Sequence, residues 1–284
     1  MVRAVTVGLA GSVESLVAAG WAAREARLRD APLRMVNAWP GPDQPALTPG
    51  REVAWQYWAE QALRAVRAEL GTDDPELEIL TAQISGYPAR VLLAEAESSQ
   101  VLVVGSRAIG PVAGFFLGSV GLEVAARAAC PVALVRAEDA AIRHGDVVAG
   151  VQLKGRYDHV LAFAFEAATR RGAALRAVYA SRCLAIRDSV PWEAGVGMSG
   201  VGEEAEWALG EVLASWRHKF PDVRVFAEVT ADSPPRRLVG AAAGAALIVV
   251  GRGRRQMGLW PRLGPVGQAV VHHAACPVAV VPRD

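Results

Sequence analysis

Lysine and cysteine are both scarce in this chain, and neither sign of charge predominates. Among 284 residues, 30 Lys and Arg side chains stand against 29 Asp and Glu side chains, a formal net charge of +1. A chain so nearly neutral lacks the overall field that attracts nucleic acid or an acidic membrane surface. The cysteines are Cys130, Cys183 and Cys276, and three cannot build a disulfide framework or a four-cysteine zinc site.

Long hydrophobic runs are also missing. The longest, from Leu238 to Gly251, is too short to span a bilayer and is better interpreted as a helix end followed by a buried strand. The opening MVRAVTVGLAGS is an apolar run broken by glycine, without the features of a signal peptide. We therefore expect a soluble cytoplasmic protein.

Motifs of catalysis and metal binding are absent as well. The chain has no G-x-S-x-G nucleophile elbow, no H-E-x-x-H and no Walker A lysine after Gly110. Phosphoryl transfer needs a metal-binding carboxylate and a cation near the phosphates. The glycine-rich segment that begins at Gly105, with the helix predicted after it, offers only Arg107 and Glu123. His272 and His273 are adjacent, so they point in different directions on a helix. We predict no catalytic residues and no metal site.

What the chain does contain is an internal repeat. The segment at 101–136 reads VLVVGSRAIGPVAGFFLGSVGLEVAARAACPVALVR, and that at 247–282 reads LIVVGRGRRQMGLWPRLGPVGQAVVHHAACPVAVVP. Earlier in each half, LRMVNAW at 33–39 corresponds to LRAVYAS at 175–181. A repeat of this length indicates two copies of one domain. We place domain 1 at 1–137, a linker at 138–145 and domain 2 at 146–284.

Each half alternates short apolar runs with longer segments of helical periodicity, which indicates parallel strands covered by helices on both faces. Ser12 is expected to cap the first helix, Pro88 to begin the third, and Gly118 to open the fourth. The sequence predicts an α/β fold with two tandem doubly wound domains, each a five-stranded parallel sheet flanked by helices. Such sheets bind ligands at the carboxyl ends of their strands. The predicted strands are Ala4–Leu9, Leu33–Ala38, Leu77–Gln83, Val101–Val104 and Pro131–Val135, then 146–151, 175–180, 223–229, 247–250 and 277–281.

The run VVGSRAIGPVAGFFLGSV, followed by a helix and AACPVALVR, resembles the universal stress protein family. The opening VTVGLAGSVES and the block WAAREARLRDAPLRMVNAW agree with it, and the resemblance covers almost the whole chain twice. It implies a stress-response regulator acting on an unidentified protein partner, and many members of the family bind ATP. It also implies that the two domains pair through their last strands as a pseudo-dimer. That pairing is either used up inside the chain or repeated between chains in a homodimer.

The family's ATP signature is Gly-x2-Gly-x9-Gly-[Ser/Thr], and domain 1 meets it at Gly105, Gly118 and Ser119, with Ala108 in place of the second glycine. An Asp that usually follows the first strand is Ala10 here. Glycines allow close approach of phosphates, and a helix start supplies free N–H groups for an anion. The resemblance implies ATP, with Mg²⁺ only when ATP binds. The candidate residues are Gly8, Ala10, Ala38 (whose backbone would meet the base), Gly105, Ala108, Gly118, Ser119 and Val120.

Domain 2 departs further from the signature. Its corresponding residues are Gly251, Arg254, Gly264 and Pro265, and Gln152 stands at the Asp position. Pro265 has no N–H for a phosphate, so we expect this site to be lost. The Arg-rich loop 252–262 is interpreted as solvated, as an anion site without ATP geometry, or as the source of an arginine that plugs the old pocket.

Two functions remain open on these residues. The first is a non-enzymatic regulatory protein with ATP in domain 1, and Gly118–Ser119 favours it. The second is a nucleotide-free scaffold in which both pockets are vestigial, and the departures from the signature favour it. We further expect Cys130 and Cys276 to be core residues and the tryptophans to pack in the core, with Trp260 a candidate for an exposed contact.

Overall fold

The computed structural model describes residues 2–39, 51–106, 118–141, 144–153, 158–181, 200–252 and 263–282. The chain divides into two compact units, Met1–Ala141 and Ile142–Asp284. We call them domain 1 and domain 2.

The described residues of domain 1 form five parallel strands in the order β3-β2-β1-β4-β5. A short 3-10 helix, Ala137–Ala141, follows the last strand. This arrangement confirms the predicted fold class. The elements are β1 (Ala4–Gly8), α1 (Val13–Leu28), β2 (Leu33–Trp39), α2 (Arg51–Asp73), β3 (Ile79–Ser85), α3 (Pro88–Ala96), β4 (Ser99–Ser106), α4 (Ser119–Arg127) and β5 (Val132–Arg136).

Domain 2 repeats the pattern within its described residues, with parallel strands in the order β10-β9-β6-β7-β8. The helix end and buried strand predicted within 238–251 are the end of the helix Pro234–Ala241 and the strand Leu247–Gly251. The elements are β6 (Val147–Gly150), α5 (Asp158–Arg171), β7 (Leu175–Ala180), α6 (Gly200–Lys219), β8 (Val225–Thr230), α7 (Pro234–Ala241), β9 (Leu247–Gly251), α8 (Pro265–His273) and β10 (Val278–Val281).

The helices begin where the sequence predicts. Ser12 is the N-cap of α1, its Oγ accepting the N–H of Ser15 at 3.4 Å, while Ser15 Oγ donates to the Ser12 carbonyl at 2.7 Å. Pro88 begins α3 and Gly118 is the N-cap of α4. These starts matter because α1 and α4 both begin at the carboxyl ends of strands, where the sheet can bind a ligand.

Several polar contacts connect the described elements of domain 1, and two of them hold strands to their neighbours. The hydroxyls of Thr6 on β1 and Ser99 on β4 lie 2.6 Å apart inside the sheet. Arg34 on β2 holds Glu95 on α3 through Nε at 2.5 Å and Nη2 at 3.0 Å. Such a two-point ion pair has a defined geometry, and it fixes α3 over the first strands of the sheet.

An aromatic cluster packs α5 against α6 in domain 2. Phe165 on α5 stacks with Trp216 on α6 and with Phe220 directly after α6, at centroid distances of 5.8 Å and 5.4 Å. Trp21 in domain 1 is buried, as predicted, but the expectation of core packing is wrong for Trp207, which is 70% exposed on α6. Periodicity places a residue on a helix face without fixing how far the neighbouring elements cover that face.

Two cysteines and the carboxyl group of Asp139 are buried among the described residues. Cys130 and Cys276 are both buried, which confirms their prediction as core residues. Asp139, in the 3-10 helix after β5, is 2% exposed and accepts the backbone N–H of Arg136 at 2.8 Å. Burial raises the pKa of Asp139 to about 6, against the lowering effect of that hydrogen bond and of the Arg136 charge.

This raised pKa predicts a pH-dependent stability. The folded protein keeps the Asp139 proton up to a pH of about 6, whereas the unfolded chain releases it near 3.8, so stability falls as pH rises through that window. Asp139→Asn keeps an acceptor for Arg136 and removes the titration. We expect the variant to gain about 1–3 kcal/mol over the wild type between pH 4 and pH 7. Urea unfolding at several pH values measures the difference, and parallel pH profiles would contradict it.

Candidate functional site

A cavity of about 330 Å³ lies at the carboxyl ends of β1, β2 and β4 in domain 1. This is the place where a doubly wound sheet binds its ligands, and the size falls in the usual range for small-molecule sites. Its wall combines the ends of the three strands with the first turns of α1, α3 and α4. The lining residues are Gly8, Leu9, Ala10, Ser12, Ser15, Val36, Ala38, Pro88, Leu92, Val104, Gly105, Gly118, Ser119, Val120 and Gly121.

The start of α4 supplies the polar end of this cavity. Gly118, the N-cap, has no side chain to cap the first turn, and the Gly118 carbonyl accepts the N–H of Leu122 at 3.0 Å. The backbone N–H groups at the start of a helix have no partner within the helix, and they carry the positive end of its dipole. Ser119, exposed at the cavity, adds a hydroxyl. Together these groups can bind an anion such as a phosphate.

Gly105 determines how the cavity wall is assembled. A Cβ at this position would lie 2.7 Å from the carbonyl carbon and oxygen of Glu14 and 2.9 Å from the nitrogen of Ser15. The first turn of α1 therefore packs directly on the backbone of β4. The structure shows that Gly105 is needed for close packing of a helix on a strand, and its predicted role in shaping the loop for phosphates stays a prediction.

The segment after β1 is apolar at Ala10, the position where the resemblance to the family predicts a carboxylate. Ala10 is exposed at the cavity, and Gly11 adopts a left-handed conformation with φ of +73°. Among the described residues that line the cavity, the only polar side chains are the hydroxyls of Ser12, Ser15 and Ser119. The cavity can thus offer hydroxyls, backbone N–H groups and apolar walls to a ligand.

The structure brings together all the candidate residues predicted from the sequence except Ala108, which lies outside the described residues. Their role in nucleotide binding stays a prediction. Sequence reasoning missed Ser12 and Ser15 as lining residues, and it missed Pro88 and Leu92 on α3. The helix cap directly after β1 and the proline at the start of α3 were signals that these helix starts would meet at the strand ends.

The corresponding region of domain 2 has the same packing of helix on strand, but it lacks one backbone N–H donor at the start of α8. A Cβ at Gly150 would lie 3.1 Å from Leu238, just as one at Gly8 would lie 3.0 Å from Leu92. Gly264 is the N-cap of α8, but Pro265 occupies the first helical position and has no N–H. Gln152 is exposed at the predicted Asp position. Arg254 and the rest of 253–262 lie outside the described residues.

Neither a metal centre nor a membrane span emerges from the part of the chain that the structure describes. Within it, no three His, Cys, Asp or Glu side chains are grouped so that they could hold a metal ion. None of its helices combines the length and the apolar character that crossing a bilayer requires.

The fold and the cavity define a tandem α/β protein with a ligand-sized site at the strand ends of its first domain. The sequence model of the universal stress protein family matches residues 1–136 and 146–282, so the chain belongs to the universal stress protein family in a two-domain form. Universal stress protein Rv2005c of Mycobacterium tuberculosis is 33% identical over 294 residues, covering 97% of this chain and 96% of the relative. A universal stress protein of Mycolicibacterium smegmatis is 31% identical over 287 residues, covering 98% and 96%.

Solved structures agree on the fold. A universal stress protein from Archaeoglobus fulgidus matches 99% of this chain and 98% of its own, with a TM-score of 0.77 at 15% identity. At this identity the match supports the architecture alone. The predicted family, fold class and tandem organisation are therefore confirmed.

The contact at Gly105 predicts a loss of stability on substitution. Gly105→Ala places a methyl group against the backbone of α1 and should lower the free energy of unfolding by about 1–3 kcal/mol. Gly71→Ala is the matched control, because no described atom lies within 4 Å of a Cβ in that helix. The control should be neutral or gain up to about 1 kcal/mol. Chemical denaturation measures both, and equal effects would contradict the packing argument.

Proposed function

We propose that domain 1 is a nucleotide-binding regulatory domain that takes ATP in the cavity at the ends of β1, β2 and β4. The uncapped first turn of α4, with Ser119 at the cavity, is the observation that carries this proposal. A helix start with unpaired N–H groups favours a phosphate by hydrogen bonding and by its dipole. The phosphates would meet Gly118, Ser119 and Val120.

The apolar part of the cavity suits the base. Val36 and Ala38 at the end of β2 and Leu92 on α3 line it. The backbone near Ala38 would meet the base, as the family resemblance implies, while the apolar side chains exclude water from its faces. Because the described lining residues include no carboxylate, Mg²⁺ would enter only with the phosphates.

The proposed role is regulatory and not enzymatic. Phosphoryl transfer requires positioned cations and a metal-holding carboxylate, and the described lining residues supply neither. Nucleotide binding would act on a protein partner through a difference in affinity between two states of the protein. Single-turnover assays with labelled ATP test this point, and product formed above the rate in water would contradict it.

A second function, a scaffold without nucleotide, is favoured by one observation. Ala10 brings a methyl group to the place where a carboxylate would accept hydrogen bonds from a ribose. Losing a hydrogen bond to a charged group costs about 1.5–3 kcal/mol, or roughly tenfold to a hundredfold in affinity. In this alternative the interaction surfaces carry the function, and the predicted nucleotide pocket of each domain is vestigial.

Domain 2 is proposed to have lost nucleotide binding. Pro265 removes the N–H that the first helical residue would give to a phosphate. Its fixed φ suits the first position of a helix, so α8 can begin there with no ligand bound. Gln152 lacks the carboxylate as well. The chain would then bind one ATP.

Calorimetric titration of ATP with Mg²⁺ into the full chain tests this function. We expect micromolar binding at one site. Ser119→Ala should weaken it by about 1 kcal/mol through loss of one hydroxyl. Gly118→Val should abolish it by adding a bulky side chain to a residue that lines the cavity. No described atom lies within 4 Å of a Cβ there, so the variant should still fold.

Gly264→Val is the matched control in domain 2, where a Cβ also meets no described atom within 4 Å. It should leave ATP affinity unchanged. Equal affinity in Gly118→Val and wild type would exclude the assigned site. No binding at millimolar ATP would favour the scaffold.

Restoring the missing carboxylate gives an independent prediction. Ala10→Asp, alone or with Ala108→Gly, should raise ATP affinity by about tenfold, because an aspartate can accept hydrogen bonds from the ribose. Gln152→Asp in domain 2 is the control and should produce no second site while Pro265 remains. Calorimetry measures affinity and stoichiometry together. An unchanged affinity in Ala10→Asp would mean that the nucleotide does not lie against this segment.

A further inference from the structure

The outermost strand of the domain 1 sheet is open to pairing with a further strand. In the order β3-β2-β1-β4-β5, β3 bonds to β2 on one side and to no described strand on the other. Natural edge strands are protected from such pairing by charged residues, prolines or bulges. The sequence of β3, ILTAQIS, has no charged residue and no proline, and its register with β2 is regular throughout. The corresponding strand of domain 2, β8, carries Glu228. The edge of β3 can therefore accept another strand.

Every second residue of β3 directs its backbone N–H and C=O to this open edge. The N–H of Leu33 on β2 donates to the carbonyl of Glu78, and the N–H of Gly86 donates to the carbonyl of Trp39. Because the bonds of a parallel pair alternate along each strand, the even-numbered residues between Glu78 and Gly86 bond to β2. The backbone groups of the odd-numbered residues therefore point away from β2. These residues are Ile79, Thr81, Gln83 and Ser85.

The side chains of β3 are arranged symmetrically about Ala82. The polar Thr81 and Gln83 flank it, and beyond them lie the apolar Leu80, which is 39% exposed, and Ile84. An antiparallel copy of the strand, related by a two-fold axis at Ala82, would put Leu80 opposite Ile84 and Thr81 opposite Gln83. Apolar pairs would then form on one face of the sheet and polar pairs on the other. Since Thr81 and Gln83 both direct backbone groups outward, this register also matches the hydrogen-bonding pattern of an antiparallel pair.

Helix α2 borders the same edge of the sheet. A crevice of about 270 Å³ lies between this helix and β3. Its lining residues are Glu60, Leu63, Arg64, Arg67, Thr81, Ala82 and Gln83. Glu60, Arg64 and Arg67 recur at the spacing of one helix face, and all three are exposed. A face with both signs of charge therefore stands beside the open strand.

The two-fold axis at Ala82 would bring the two copies of α2 together. The helix packs on both β2 and β3, and it runs opposite to them because the chain must return between two parallel strands. With strands about 4.8 Å apart, the axes of the two helices would lie about 10 Å apart, which is a packing distance of neighbouring helices. Because the crevice places residues 60–67 beside Ala82, Glu60 of each copy would lie opposite Arg67 of the other.

We propose that β3 pairs antiparallel with β3 of a second copy of this chain, about a two-fold axis at Ala82, with Glu60 and Arg67 forming ion pairs across the contact. A second copy fits this edge better than an unrelated strand, because the strand and the helix face beside it are each complementary to themselves. The contact differs from the pairing through the last strands that the family resemblance implies, since β3 and β5 lie at opposite edges of the domain 1 sheet. It does not depend on nucleotide binding.

Charge reversal on α2 tests this contact. Sedimentation velocity of the full chain at micromolar to millimolar concentrations should show an equilibrium between monomer and dimer. Glu60→Arg or Arg67→Glu alone puts like charges opposite each other and should weaken the dimer roughly tenfold. The two substitutions together exchange the charges and should restore the dimer. Glu69→Arg is the control, because Glu69 is exposed on the opposite side of α2, and it should leave the dimer unchanged.

Three results of this experiment would overturn the proposal. The first is a monomer at every concentration. The second is a dimer that neither single reversal weakens. The third is a double variant that dimerises no better than the single variants, since the charges on the two copies would then not face each other. Thermal unfolding shows whether each variant folds.

Amide hydrogen exchange locates the contact in the wild-type chain, where no variant has to fold. As the concentration rises through the range in which the dimer forms, the amides of Thr81 and Ser85 should exchange more slowly, because their N–H groups point to the edge that the second copy covers. The amides of β8, the edge strand of domain 2, are the control and should keep their rates. Slower exchange in β5 or β8 without a change in β3 would place the contact elsewhere and overturn the proposal.

Discussion

The contact between α1 and β4 at Gly105 is the constraint on which the rest of domain 1 depends. Only a residue without a side chain lets the backbone of Glu14 and Ser15 come so close to the strand. This approach brings the first turn of α1 to the strand ends, and with it Ser12 and Ser15 reach the wall of the first cavity. The same turn carries Leu16 to a second, apolar cavity that residues of α2 also line. One missing methyl group thus positions the helix that both cavities share.

Both domains keep the architecture, and one difference between them lies at the helix start where the proposed nucleotide would bind. The strand order repeats, and the close pairs of Gly8 with Leu92 and of Gly150 with Leu238 occupy corresponding places. What changes is the first residue of the helix after the fourth strand of each domain, Ser119 or Pro265. Packing of strands and helices restricts which residues can change in the core. The residues at the strand ends are freer to vary, because few core contacts depend on them.

Much of the fold could be predicted from the sequence, since a repeat seen twice and apolar runs of strand length leave few arrangements. Local chemistry predicted the helix starts at Ser12 and Pro88, because caps act within a few residues. The apolar cavity that α1 and α2 line together in domain 1 could not be predicted from the sequence, because it depends on how closely these helices pack on the sheet. Likewise, the burial of Asp139 and the exposure of Trp207 depend on distant elements that no local pattern encodes.

Pro265 has a further consequence for order at the two helix starts. Its ring fixes φ before folding, so the first turn of α8 loses less conformational entropy on forming than a turn beginning with serine. Both helices have a glycine N-cap, but Ser119 at the first helical position of α4 carries no such covalent restraint. The backbone conformation at the start of α4 therefore depends on the contacts it makes. The conformation at the start of α8 is already restricted by the proline ring. Amide hydrogens in the first turn of α4 should consequently respond to occupancy of the cavity, and those of α8 should not.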